Sequence, residues 1–273
     1  MGARQLAILG GGHMGRALIS GLLRCGARPE DLAVADLSAP TCESLKRDFA
    51  VHAGEDAGAA ISGADTVVIA VKPQHVAALL APLRSTLSER RALVISVAAG
   101  IRSASLRQWC GEGATVVRAM PNCAALVGAG MSGLFATPDV APAARAAAAR
   151  VLAAVGEIVW LEHEEALDVV TALCGSGPAY FFSLAESMMQ AAVELGLDAA
   201  AARKLAVGTL YGAGLVAHGS DGDLGALRAA VASTGGTTEA ALRVFAAADL
   251  SGITLKAMQA AARRSRELAA QFG

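Results

Sequence analysis

Gly10-x-Gly12-x-x-Gly15 limits the fold of this chain more than any other stretch. It follows an apolar run at residues 6–9 and opens a helical pattern over 13–25. A tight turn between a buried strand and a helix favours residues without a Cβ, and it gathers the helix's unpaired N–H groups in one place. The acidic residue Asp36 follows the next predicted strand, 32–35, about 20 residues beyond Gly15, as a dinucleotide-binding unit requires. Gly10 makes the turn, Gly12 admits a pyrophosphate, and Gly15 lets helix and strand pack closely. Asp36 suits a ribose 2′-hydroxyl and repels a 2′-phosphate, which favours NADH. Ser38, Thr41 and Lys46 lie nearby and suit a phosphate, so NADPH and NADH both remain open.

The pattern continues as alternating strands and helices. Helices are predicted at 38–49, 76–87 and 138–155, and strands at 66–71, 93–97, 115–120, 130–135 and 158–161. Short β-branched runs between helical segments argue for a doubly wound parallel sheet, whose ligand edge lies at the strands' C-terminal ends. Val71-Lys72-Pro73-Gln74 closes the third long strand there. Pro73 suits a helix start, and Lys72 either faces a cofactor or is solvated. Met120-Pro121-Asn122 ends another strand on the same edge. Asn122 either bonds a nicotinamide ribose or amide, or is an ordinary turn residue.

Strand signals stop after about residue 162. Helices are expected at 164–173, 178–195, 199–217, 224–232, 238–247 and 252–271, with Asp198 and Asp249 as N-caps. Two domains follow: 1–162, binding the dinucleotide, and 163–273, all-helical. In the second, Ser233-Thr234-Gly235-Gly236-Thr237-Thr238 places a glycine-rich turn before a helix N-terminus. Its N–H groups suit a carboxylate; the alternative is that Thr237 and Thr238 are simple helix caps. A carboxylate pocket and a dinucleotide pocket in one short chain suggest an oxidoreductase acting on a small acid.

A formal net charge of -1 gives no basic field for nucleic acid. The longest apolar stretches are interrupted by glycine or arginine before reaching the roughly 20 residues of a membrane span, and no secretory leader is apparent. The five cysteines are scattered, with no Cys-x-x-Cys pair, so no metal site is expected and a reducing cytoplasm is. His163-Glu164-Glu165 reads as a solvated helix start.

With Val71-Lys72-Pro73-Gln74, Met120-Pro121-Asn122, Gly175-Ser176-Gly177-Pro178-Ala179-Tyr180 and the 233–238 segment in this order, the whole chain resembles pyrroline-5-carboxylate reductases. The resemblance implies a Rossmann domain and a helical dimerisation domain, forming homodimers and in places rings of dimers. It implies reduction of L-1-pyrroline-5-carboxylate to L-proline, the last step of proline biosynthesis, with NADPH or NADH. It places Leu9, Gly10, Gly11, Gly12, His13 and Met14 on the cofactor pyrophosphate, and Asp36 and Ser38 near the adenosine ribose. Ala70, Val71, Lys72, Pro73 and Ala98 fall along the cofactor toward the nicotinamide. Ser233, Gly235, Gly236, Thr237 and Thr238 would hold the substrate carboxylate, with Thr238 near the ring nitrogen.

The chain departs from the family pattern at several positions. Cys123 and Ala124 replace a Thr-Pro pair, Thr234 replaces a proline, Ala57 replaces an asparagine, and Ala230 stands at an often polar position. Related β-hydroxyacid reductases use a helical-domain lysine as proton donor. Lys204 and Lys256, the only lysines after residue 72, sit in no such motif. A dinucleotide-binding paralogue without turnover is the non-enzymatic alternative.

Overall fold

Strand β1 (Gln5–Leu9) runs into the glycine turn, and helix α1 (His13–Arg24) starts directly after it. The alternation continues through β2 (Leu32–Ala35), α2 (Ala39–Phe49), β3 (His52–Gly54), α3 (Ala57–Ile61), β4 (Ala64–Ile69), α4 (Pro73–Leu80) and α5 (Arg84–Glu89). It then passes through β5 (Leu93–Ser96), α6 (Ser103–Cys110), β6 (Thr115–Pro121), β7 (Gly130–Phe135), α7 (Pro142–Ala153) and β8 (Gly156–Trp160). This is a computed structural model, and it describes residues 5–221 and 223–272.

Among the described residues these strands form one eight-stranded sheet, ordered β3-β2-β1-β4-β5-β6-β7-β8. The pleat sends successive side chains to opposite faces. Ile8 of β1 therefore packs with Leu18 of α1 and Leu152 of α7, while Ala7 and Leu9 pack with Leu80 of α4 and Leu106 of α6. Both faces are apolar because helices cover both.

The sequence pattern suggests a parallel sheet throughout, and the structure departs from it at one pair. β7 pairs antiparallel with β6, and β8 is parallel to β7. Only residues 122–129 join β6 to β7. A parallel crossover needs roughly a dozen residues or more, so this connection turns the chain back. The expected helix over 76–87 is divided: α4 begins earlier, at Pro73, and a 3-10 turn at Ala81–Leu83, carrying Pro82, separates it from α5. The short elements β3, α3 and α6 also lie outside the sequence expectation.

Beyond β8 come α8 (Ala166–Val170), a π-turn at Thr171–Gly175, α9 (Gly177–Glu194), α10 (Ala199–His218), α11 (Leu224–Val231), α12 (Thr237–Ala247) and α13 (Leu250–Phe272). Asp198 caps α10 by accepting from Ala200 and Ala201 N–H at 3.0 Å each. Asp249 accepts from Gly252 N–H at 3.1 Å at the head of α13. The chain clusters into two compact units. One runs as far as Ser176 and takes in the segment from Ala260 onward; the other is Gly177–Gln259. In the second, Phe181, Phe182, Leu205, Leu215 and Val216 are each more than half exposed. The stretch Ala166–Glu194 is long and apolar enough to cross a membrane by length and composition, which the sequence reading does not anticipate.

Candidate active site

The strand order reverses beside β1, where β2 lies on one side and β4 on the other. In open α/β sheets the ligand crevice opens at such a point, outside the strands' C-terminal ends. The glycine turn sits there, and its three glycines answer three different needs. Gly10 has φ +111°, and a Cβ on it would lie 2.6 Å from the Ala70 carbonyl oxygen. Its N–H donates to the Ala35 carbonyl at 2.8 Å, while Ala70 N–H donates to Leu9 at 2.7 Å, so the turn is pressed onto the end of β4. A Cβ on Gly15 would fall on the Gly10 carbonyl. Gly12 is different. Its backbone is ordinary extended chain (φ −71°, ψ −165°), and no atom lies within 4 Å of where its Cβ would be. The space in front of α1 is open, as a pyrophosphate cradle needs. His13 and Met14 form the first helical positions behind it, where N–H groups lack intrahelical acceptors.

Asp36 is engaged on both oxygens. Oδ2 accepts from Gly11 N–H at 2.8 Å and Oδ1 from Ser38 N–H at 2.9 Å. The carboxylate therefore ties the β1–α1 turn to the β2–α2 turn, in addition to placing a negative charge at the end of β2. Ser38 caps α2 by accepting from Thr41 N–H at 3.3 Å. The nearby cations have partners: Lys46 Nζ lies 2.7 Å from Glu43, and Arg16 pairs with Asp48 at 3.0 Å and with Ser44.

Val71, Lys72 and Pro73 follow Ala70 off the end of β4. Lys72 is exposed at the N-cap of α4, and Pro73 is that helix's first residue. Ala98 is buried just after β5, its N–H on the Ser96 hydroxyl at 3.4 Å. Leu9, the glycine turn, Asp36, Ala70 and Ala98 thus share one edge of the parallel strands. Asn122 follows β6 on that edge. Its Oδ1 accepts from Met131 N–H at 3.2 Å, and Cys174 Sγ donates to the Met131 carbonyl at 3.1 Å.

A buried ion network lies in the same unit, and the sequence reading missed it. Arg118, 5% exposed on β6, donates to Glu164 at 2.8 Å, and Glu164 also accepts from Ser103 N–H at 2.6 Å. Glu164 is therefore not the solvated residue expected from His163-Glu164-Glu165. Burial works against its charge, but the hydrogen bonds from Ser103 and Arg118 outweigh it and hold the carboxyl below the usual glutamate value. Asp168, 2% exposed, accepts from Arg102 at 2.7 Å and from the Ser265 hydroxyl at 2.6 Å. The available signal was Arg118 itself: a charge inside the apolar run 115–120 needs a buried partner.

In the second unit, the 233–238 segment is a turn into α12. Gly235 takes the left-handed conformation at φ +74°. Gly236 is the N-cap, and its own N–H donates to the Ser233 carbonyl at 2.9 Å. Thr237 and Thr238 are the first two helical residues, not the caps. Thr238 is half-buried, whereas Ser233, Thr237 and Gly235 are exposed.

A family model for pyrroline-5-carboxylate reductase dimerisation matches residues 164–268, and one for coenzyme F420-dependent NADP oxidoreductases matches residues 5–100. A pyrroline-5-carboxylate reductase of Pseudomonas aeruginosa is 40% identical over 273 residues, covering 100% of both chains. The chain belongs to the pyrroline-5-carboxylate reductase family. The solved Coxiella burnetii enzyme superposes with a TM-score of 0.93 at 36% identity, covering 98% of this chain and 99% of that one. The Plasmodium falciparum pyrroline carboxylate reductase, solved with NADP bound, gives 0.85 at 26% identity, covering 98% and 99%. The fold is that of an oxidoreductase with an NAD(P)-binding α/β domain followed by a helical dimerisation domain. The apolar stretch 166–194 lies wholly inside the dimerisation match, so a protein partner accounts for its exposed phenylalanines.

Proposed function

We propose that this chain reduces L-1-pyrroline-5-carboxylate to L-proline with NADPH or NADH, as a homodimer in the cytoplasm, with dimers further assembled into rings. The full-length family match carries this reading. Residues 1–162 serve as the dinucleotide domain and 163–273 as the dimerisation and substrate domain. When bound, the reduced nicotinamide supplies a hydride. The chain has little else to do than hold the reacting parts. Leu9, Gly10, Gly11, Gly12, His13 and Met14 receive the pyrophosphate, with Gly12 leaving it room. Asp36 and Ser38 meet the adenosine ribose. Ala70, Val71, Lys72, Pro73, Ala98 and Asn122 line the path toward the nicotinamide.

The protonated cyclic imine is already electrophilic at the carbon next to nitrogen, so positioning supplies much of the acceleration. Ser233, Gly235 and Gly236 form the turn that presents the substrate carboxylate to the Thr237 and Thr238 N–H groups at the N-terminus of α12, and the Thr238 hydroxyl bonds the ring nitrogen and favours its protonated form. The test is cofactor oxidation followed by absorbance with racemic pyrroline-5-carboxylate and each nucleotide. Turnover consuming half of the racemate is expected. No turnover with either nucleotide overturns the assignment.

A further inference from the structure

The 233–238 turn holds itself together with a charge of its own. Glu239, the third residue of α12, folds back so that Oε2 accepts from Gly235 N–H at 2.6 Å. In the usual reciprocal cap the third residue reaches the N-cap N–H. Here the N-cap N–H, on Gly236, is taken by Ser233, and Glu239 reaches one residue further back. The other carboxylate oxygen, Oε1, pairs with Arg243 Nη2 at 2.9 Å, one helical turn away. Both contacts hold the Glu239 carboxyl below its ordinary value, Arg243 first and Gly235 second, so it is charged at neutral pH.

This arrangement divides the donors. The Gly235 and Gly236 N–H groups are spent inside the turn. Thr237 and Thr238 N–H, which the helix leaves without intrahelical acceptors, stay available for an outside anion. It also creates a conflict. A glutamate in the first turn repels a second carboxylate brought to the same helix end. Arg243, four residues on, offsets that charge.

We infer that Glu239 and Arg243 are positioning residues for the substrate carboxylate: Glu239 fixes the left-handed Gly235 turn, and Arg243 cancels the charge that doing so introduces. This rests on the reading of 233–238 as the substrate loop. It assigns different work to the two members of one ion pair, so their effects must be unequal and conditional.

The test is a set of variants of the full-length protein assayed with saturating nucleotide. Glu239→Ala frees the turn and raises KM for the imino acid about tenfold, the scale of one hydrogen bond to a charged group, with a smaller change in kcat. Glu239→Gln keeps an acceptor for Gly235 and restores most of the loss. Arg243→Gln raises KM severalfold in the wild-type background, more at low salt, and has no effect in the Glu239→Gln background, where no charge needs cancelling. KM for the nucleotide does not move in any of them. A Glu239→Gln variant as impaired as Glu239→Ala overturns the inference, and so does an Arg243→Gln effect that persists in the Glu239→Gln background. Thr238→Ala separates the two levels. If it impairs turnover while Glu239→Ala does not, the site reading stands and the inference fails. If it leaves turnover intact in a folded protein, the loop is not the substrate site and both fail.

Discussion

Gly12→Val isolates the cofactor cradle from the fold that builds it. The backbone at Gly12 has φ −71° and ψ −165°, which any residue adopts, and the added Cβ meets no atom within 4 Å. The remaining cost to the free protein is that valine is a poor helix N-cap, worth about 1 kcal/mol, or a fall in melting temperature of about 2–4 °C for a chain of this size. The cost to the complex is larger. Valine fills the space in front of the His13 and Met14 N–H groups, and displacing a pyrophosphate from two charge-assisted hydrogen bonds forfeits about 3 kcal/mol or more. Affinity for NADPH and NADH should therefore fall at least a hundredfold, about 2.7 kcal/mol. Nucleotide titration by fluorescence, with a melting curve on the same sample, measures both. Gly10→Val is the contrast: its φ of +111° and the Ala70 carbonyl 2.6 Å from the new Cβ make it a folding mutation, with a much larger fall in melting temperature. A folded Gly12→Val protein that binds both nucleotides normally removes this turn from the cofactor site.

Three further outcomes are expected. With Asp36 negative at the end of β2, and with Lys46 and Arg16 already paired, NADH should serve comparably to NADPH; a kcat/KM preference for NADPH beyond about a hundredfold refutes this. Light scattering at micromolar concentration should give a dimer or a multiple of it, and a monodisperse mass near the 27.4 kDa chain contradicts it. Acid should unfold the protein partly through Glu164. Its folded pKa lies below the ordinary 4.5, so its stabilisation is complete above that value and is lost as pH falls through the folded pKa. Glu164→Gln should therefore lower stability at pH 7 and flatten its loss below about pH 4.5; an unchanged acid limb excludes Glu164 as a contributor.

Periodicity made the sheet legible where strands are long and buried on both faces. β2 and β7 carry the expected bounds, 32–35 and 130–135, because glycine, proline or charged residues bracket short apolar runs. The three-residue β3 and five-residue α3 are too short to show a period at all. Strand direction was misread at β7 because an apolar run has no polarity; the length of the connection before it carries that information. Within the site, residue types located the glycine turn and the 233–238 segment. They did not show that Asp36 spends both oxygens on backbone N–H groups, or that Glu239 reaches back to Gly235. Such bonds depend on which backbone donors a turn leaves over, and only coordinates supply that.

The Ser265–Asp168 hydrogen bond bears on the order in which the molecule can be built. Gly100 packs against Leu268, and Phe272 packs against the core that holds Ala7, Leu9 and Val94, so the nucleotide-binding unit is completed by residues that follow the whole of Gly177–Gln259 in sequence. During synthesis this unit cannot finish until the ribosome has made Gly177–Gln259 and the segment after it. Until then Asp168, almost wholly enclosed in the finished protein, lacks its Ser265 partner, and the apolar side chains beneath Phe272 stay wet. A nonsense codon just ahead of Ser265 would thus damage a unit built mainly from residues up to Ser176.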